Sequence, residues 1–434
     1  MNLRSIVAVS ALALGVVACG PQESSSGADG TWVGTITTEG NVTTVVNESG
    51  SVWGGTATLV EELSIGVDTG DDPYMFGRVT SVWATADEIY VVDRAIPAVR
   101  VYDREGVFLR DIGRRGQGPG EYQQPHRVAI DGDGTVFVSD VGGIAKVILY
   151  SPAGEYVDTW SWTLRSFPAT QRLVMTSAGI PYLESIEFEG SIPTEAESRW
   201  GMQAVGPEGK SGELREFPRP DAPIRFQLTY LDGGMGTRVP FAPRFATAML
   251  PRGELVYGEG PGYVFTIAAA DGSTTIVECL AEPVAILAAE REALERFTTS
   301  RIRSRDPSWT WNGPPVPEHQ PAYETFYPAQ DGRLLVSRGG PGERVESPDC
   351  IDDPSPDDFL QAQRQDRTLS VCWRDPLIWD VFGSDGRYLG DLELPDLPVV
   401  ADPFMDNETV LLAIEDEAGT IMVKRYRLVL PGER

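Results

Sequence analysis

The strongest constraint on this chain is a repeat. Residues 77–82, 89–93, 100–103 and 108–112 form four short runs of β-prone residues, and residues 125–131, 135–140, 146–150 and 156–162 form four more in the same order. Gly132-Asp133-Gly134 and Pro152-Ala153-Gly154 separate the runs of the second copy, and Glu105-Gly106 marks a matching turn in the first. Segments this short have no stability alone, but four joined by tight turns make an antiparallel sheet with two faces to bury. Stacked copies bury those faces against one another, so the repeat outweighs the several domains that 434 residues would otherwise suggest.

Weaker copies follow. One begins at residues 171–175 and ends near 213–217 after an insertion; another begins at 243–247, with outer strands at 262–268 and 274–280. A fifth starts near 321–323, passes through 333–337 and finishes at 378–382 and 388–394. The last holds residues 410–414 and 421–429 but lacks a fourth strand, whereas residues 56–65 read as a strand without a partner. That strand is expected to complete the last unit and close a ring, removing the open edge of an unclosed array.

The pattern resembles the NHL repeat. The strand-ending Asp93 and Asp140, the basic Arg100 and Lys146 that open the third strands, and the Asp-Gly turns carry the likeness, as does the connector 116–125, Gly-Gln-Gly-Pro-Gly-Glu-Tyr-Gln-Gln-Pro. The resemblance implies an all-β, six-bladed β-propeller of four-stranded antiparallel blades, closed by an N-terminal strand. One segment breaks the β pattern: Pro283 at a helix start, Leu287, Leu294 and Phe297 on one face, and Arg301, Arg303 and Arg305 at the far end predict one inserted helix over 283–303. The expected organisation is a leader over 1–18, a flexible tether over 19–30, an N-terminal extension over 31–55, and a single propeller over 56–434 with insertions near 283–316 and 339–375.

The leader rests on a basic Arg4, an apolar run from Ile6 to Val17, and Val16-Val17-Ala18-Cys19-Gly20. The run is too short to span a bilayer, which takes about twenty residues. The last five residues resemble a lipobox, which implies diacylation of Cys19 and cleavage before it. A membrane partner through that anchor and a cell-envelope location follow as expectations, the outer membrane being favoured by Gly20 if the cell has one.

A formal charge of −28 opposes binding to nucleic acid. Beyond Cys19 there are three cysteines; Cys350 and Cys372 flank a polar insertion and are the expected disulfide, with Cys279 left as a buried thiol. Against the acidic background, Arg78, Arg127, Arg172 and Arg244 stand near the start of four inner strands. Facing the axis they would suit a carboxylate, phosphate or sulfate; facing a neighbouring blade they would pair with Asp93, Asp140, Glu184 and Glu259. His126 and His319, the only histidines, are placed at inner-strand entrances, and Trp309 and Trp311 can either stack on a ligand or staple their loop.

The leading expectation is a non-catalytic propeller that binds an envelope protein or a small anion. The alternative is a metal-assisted hydrolase or lyase acting in the central channel. Zinc lyases of related type use three histidines, which this chain lacks; lactonase-like calcium sites use Glu, Asn and Asp, for which Asn312 and Asn407 are the mature C-terminal half's asparagines.

Overall fold

The computed structural model describes residues 32–142, 146–161, 172–188, 198–218, 225–230, 233–260, 262–365, 367–395 and 399–433. Six sheets stand around a common axis as the blades of a β-propeller. Their innermost strands are Val79–Ala84, Pro125–Ile130, Leu173–Met175, Phe245–Met249, Thr325–Pro328 and Phe404–Asp406, taken as blades 1 to 6. Each blade continues outward through antiparallel neighbours. Blade 6 takes its outermost strand from the other end of the chain, where Thr58–Ile65 pairs antiparallel with Ile421–Val429. Ring closure by the N-terminal strand is therefore as the sequence implies.

Among the described residues the ring holds six apolar clusters, one between each pair of adjacent blades. Tyr90, Val101, Val128 and Ile148 fill the interface of blades 1 and 2. Phe265, Tyr323, Phe326 and Phe382 fill that of blades 4 and 5, and Ile65, Val82, Leu411 and Val423 join blade 6 to blade 1. A second strand, having a blade on both sides, is buried on both faces; Val136–Asp140 is buried throughout. The outermost strand Tyr156–Ser161 is mostly exposed. Turns follow one chemistry: Asp131 Oδ1 accepts from the Asp133 and Thr135 amides, while Gly134 takes the left-handed φ of 82° that closes the turn.

Several features were not legible in the sequence. The N-terminal extension forms a hairpin, Val33–Glu39 with Val42–Ser49, which adds in parallel to the outer strand Thr274–Cys279 and makes blade 4 six-stranded. Asn47, buried, fastens it: its Oδ1 accepts from Trp32 Nε1 at 2.9 Å and the Tyr388 amide at 2.7 Å, and its Nδ2 donates to the Glu278 and Gly386 carbonyls. Another hairpin, Arg225–Tyr230 with Gly233–Arg238, lies between blades 3 and 4.

The expected helix is present as α1, Ala288–Arg303. It starts later than Pro283 because Ala285 bridges to His319 and the Ile286 amide donates to the Glu318 carbonyl, which holds that stretch extended. A second, shorter helix, α2 (Pro356–Arg364), occupies the other insertion. Ser355 and Asp358 form its capping box, and Phe359 meets Phe297 of α1 edge-on at 5.1 Å. Cys350 and Cys372 are disulfide-bonded, and Cys279 is free. Burial and the nearby Asp380 push the Cys279 thiol up to about 12, which keeps it protonated and unreactive.

Candidate functional site

The two best-formed blades explain what the strand-ending acids do. Asp140, fully buried, accepts from the amides of Gln123, Gln124 and Gly142 at 2.7 to 3.0 Å and lies 3.4 Å from Lys146 Nζ. Asp93 likewise accepts from the amides of Gly77, Arg78 and Ala95. These carboxylates clamp the chain where it crosses from one blade to the next, satisfying backbone donors that would otherwise be buried unpaired. They are not partners of arginine side chains, which corrects the expected belt of inter-blade ion pairs. Glu184 accepts from Trp200 Nε1 at 2.7 Å. Arg100 and Lys146 also differ in register. Lys146 pairs with the second-strand acid Asp140, whereas Asp93 pairs with Ala98, two residues before Arg100.

The four arginines do not share one repeat position; they divide into two pairs. Arg78 and Arg244 each stand just before the residue that pairs with a second-strand acid, Val79 with Asp93 and Phe245 with Glu259. Both side chains are exposed at a mouth of the ring. Arg127 and Arg172 stand farther along their strands, Arg127 opposite Ser139 and Arg172 with its carbonyl accepting from the Glu184 amide. Their guanidiniums reach across to neighbouring inner strands. Arg127 Nη1 donates to the Thr80 carbonyl and its Nη2 lies 2.8 Å from Asp402; Arg172 Nη1 donates to the Thr247 carbonyl. The inner strands of blades 1 and 2 carry the same bulge, and register against the strand-ending acid sets the difference: Val79 pairs with Asp93 and Pro125 with Asp140, which makes Arg127 the counterpart of Ser81 and not of Arg78.

Arg78, His126 and Arg127 come together in one cavity of about 540 Å³. Blades 1 and 2 contribute those three with Thr80; blades 5 and 6 and the segment between them contribute Tyr327, Leu377, Trp379, Val399, Val400, Ala401, Asp402, Glu415 and Ile421. Its origin is the short inner strand of blade 6, three residues against six in blades 1 and 2. The chain just before it, tied by Val399 to Ile414 and by Asp402 to Ser81, leaves space that a longer strand would fill. A narrower space of about 90 Å³ adjoins it around Arg127, Arg172, Tyr327 and Asp402. Burial, and then Asp402, push the Tyr327 hydroxyl up to about 12 against the opposing pull of Arg172, so it is a neutral phenol.

The polar atoms of this cavity are incompletely satisfied. Thr80 Oγ1, Arg127 Nε and Trp379 Nε1 are buried with no hydrogen-bond partner. Arg78 has no ion-pair partner among the described residues. An orphaned buried donor costs on the order of 1–3 kcal/mol. Thr80, Arg127 and Trp379 are lining residues whose orphaned atoms are closed off from solvent, so the group that the cavity leaves open to an oxyanion is the Arg78 guanidinium. A calcium ion does not fit here: Asp402 is already engaged by Arg127, and Arg172 adds a second positive charge to the same narrow space. Asn407 sits in the turn after Asp406, bonded to Asp331 and Asp406 away from these residues, and Asn312 is exposed in the loop after α1.

The remaining candidates lie elsewhere. Arg244 is outside the cavity, and His319 is exposed and bridged to Ala285 rather than placed at an inner strand. Trp309 is buried against Phe226, Val239 and Ile302, and the half-buried Trp311 meets the same phenylalanine at 4.4 Å, so both staple the loop. Cys19 lies outside the described residues. Thr80, Tyr327, Trp379, Leu377 and Asp402 were missed from sequence, since most fall in blades whose repeat signal is weakest.

A family model described as a 6-bladed beta-propeller matches residues 62–170, about a quarter of the chain. No curated protein matches in sequence. Among solved structures, a DUF4221-family member from Bacteroides vulgatus is similar at 8% identity, covering 87% of this chain and 99% of its own, with a TM-score of 0.48. Virginiamycin B lyase from Staphylococcus aureus is similar at 11% identity, covering 85% of this chain and 99% of its own, with a TM-score of 0.37. At these scores neither likeness bears on what this chain binds.

Proposed function

We propose that the protein is an NHL-like binding propeller of the cell envelope, held by a lipid on Cys19, and that its mouth cavity takes a small anion. The observation that carries the anion site is Arg78, exposed and without an ion-pair partner among the described residues, lining one cavity with Arg127. Arg127 itself is held by Thr80 and Asp402, so it shapes the site, while Arg78 supplies the free charge. Binding is the reading, because the cavity brings the positive charges of Arg78 and Arg127 together beside an apolar wall. The address rests on the lipobox-like Val16-Val17-Ala18-Cys19-Gly20.

Titrating the purified full chain with acetate, sulfate and phosphate by calorimetry tests the site. At least one should bind, and Arg78→Gln should weaken that binding about tenfold, the effect of losing one charge-assisted hydrogen bond. Equal binding by wild type and Arg78→Gln overturns the anion site. Labelling with a fatty-acid probe, lost on Cys19→Ala, tests the anchor separately.

A further inference from the structure

The cavity has a second wall that an inorganic anion leaves unused. Leu377 and Val400 line it and are among the large hydrophobic residues left open to water, at 40% and 37% exposure. Val399, Ala401 and Ile421 continue the same wall. Leu377 and Val399 also border a second groove of about 510 Å³ between blades 5 and 6, lined further by Pro376, Ile378, Leu392, Leu394 and Pro395. Leu377 therefore carries the wall from the Arg78 cavity into a further groove of mixed lining, where Arg374, Asp375, Asp391 and Glu393 stand beside the apolar residues.

Resting on the anion-site reading, we infer that the ligand is a single-headed amphiphile, a monocarboxylate whose apolar body lies along Leu377, Val399 and Val400. The head is set by charge. Arg78 offers a guanidinium fork whose geometry matches the two oxygens of a carboxylate. Asp402 is neutralised by Arg127, and Glu415, also in the lining, opposes a second negative charge on the ligand. A monoanion suits that balance better than a phosphate dianion. The body is set by the wall, since covering exposed Leu and Val side chains is favourable in proportion to the apolar area removed from water.

A series of straight-chain carboxylates from acetate to decanoate, titrated against the full chain below their micellar concentrations, tests this. Affinity should rise roughly two- to fourfold per methylene over the first several carbons, the gain expected of partly to fully buried CH₂ groups. Octanol and octyltrimethylammonium should bind at least tenfold more weakly than octanoate. Leu377→Gln, and independently Val400→Thr, should reduce the chain-length dependence, read as the ratio of octanoate to acetate affinity; two exposed positions guard against one variant misfolding. Acetate and octanoate binding alike, both weakened by Arg78→Gln, overturn the amphiphile inference and leave the anion site standing. Octanoate binding that Arg78→Gln does not alter overturns the anion site itself.

Discussion

Blades 1 and 2 and blades 5 and 6 are built to the same plan and stabilised by opposite arrangements. In blade 2 the residue after Ser139 is the acid Asp140, which clamps three amides at the blade crossing. In blade 5 the residue after Ser337 is Arg338, and the acid has moved to the third strand, where Asp380 takes Arg338 Nε at 2.7 Å and the Tyr263 hydroxyl at 2.5 Å. Burial and the neighbouring Asp380 push the Tyr263 hydroxyl well above its ordinary range. The ring tolerates either solution, because all it requires is that buried polar groups at the crossing be paired. Where the plan is broken, by an inner strand of three residues in blade 6 and an insertion in blade 5, space is left for a ligand.

The largest effect should come from the regular half. Asp140→Ala leaves the Gln123, Gln124 and Gly142 amides and Lys146 without their shared acceptor, and should destabilise by roughly 3–5 kcal/mol, read as a lower urea midpoint. If the cost is under about 1 kcal/mol, the clamp is not what holds the crossing. In the irregular half, Arg338→Met strands Asp380 in the interior. It should cost about 3 kcal/mol, measured the same way, and a cost near that of a surface change would mean that the tyrosines alone satisfy Asp380.

The insertion of blade 5 should respond next. Removing the 350–372 disulfide with Cys350→Ser loses a constraint worth about 3 kcal/mol in the chain-entropy picture. The loss should be local, with α2 becoming protease-sensitive while anion binding at the mouth persists. Loss of both together would show the insertion and the ring to be one cooperative unit.

Acidity offers a gentler probe of the same region. Glu290, at the start of α1, has its carboxyl raised from 4.5 to about 7, by burial first and then by Asp375. The native state thus holds that proton more tightly than the unfolded chain, so the group's stabilisation is complete below about 4.5 and is lost as the pH rises through 7. Glu290→Gln should have a higher urea midpoint than wild type at pH 8 and converge with it at pH 4. A difference independent of pH would break the assignment. Smallest of all, Arg244→Gln should shift stability by less than about 0.5 kcal/mol and leave anion affinity unchanged, as befits an exposed side chain outside the cavity. A loss of affinity like that of Arg78→Gln would restore the single arginine ring.

What the sequence determined by itself was the repeat and its closure. Four short strands per unit, Asp and Gly at the turns, and a lone strand at residues 56–65 matching a missing one at the other end are local signals, each confined to a few neighbouring residues. Helix α1 and the disulfide were legible for the same reason. The site was not. Arg78 and Arg127 were visible as charges, but they stand at different registers against the strand-ending acids Asp93 and Asp140, and register is settled only when strands pair. Leu377, Trp379 and Asp402 carry no motif; they meet Thr80 and Arg78 because ring closure sets blade 6 beside blade 1 and blade 5 two steps away. Trp309 and Trp311 offered the same aromatic faces for a ligand or for a core, and Phe226, some eighty residues earlier in the chain, took them. Those outcomes depend on contacts between distant segments, and only the closed ring brings such segments together.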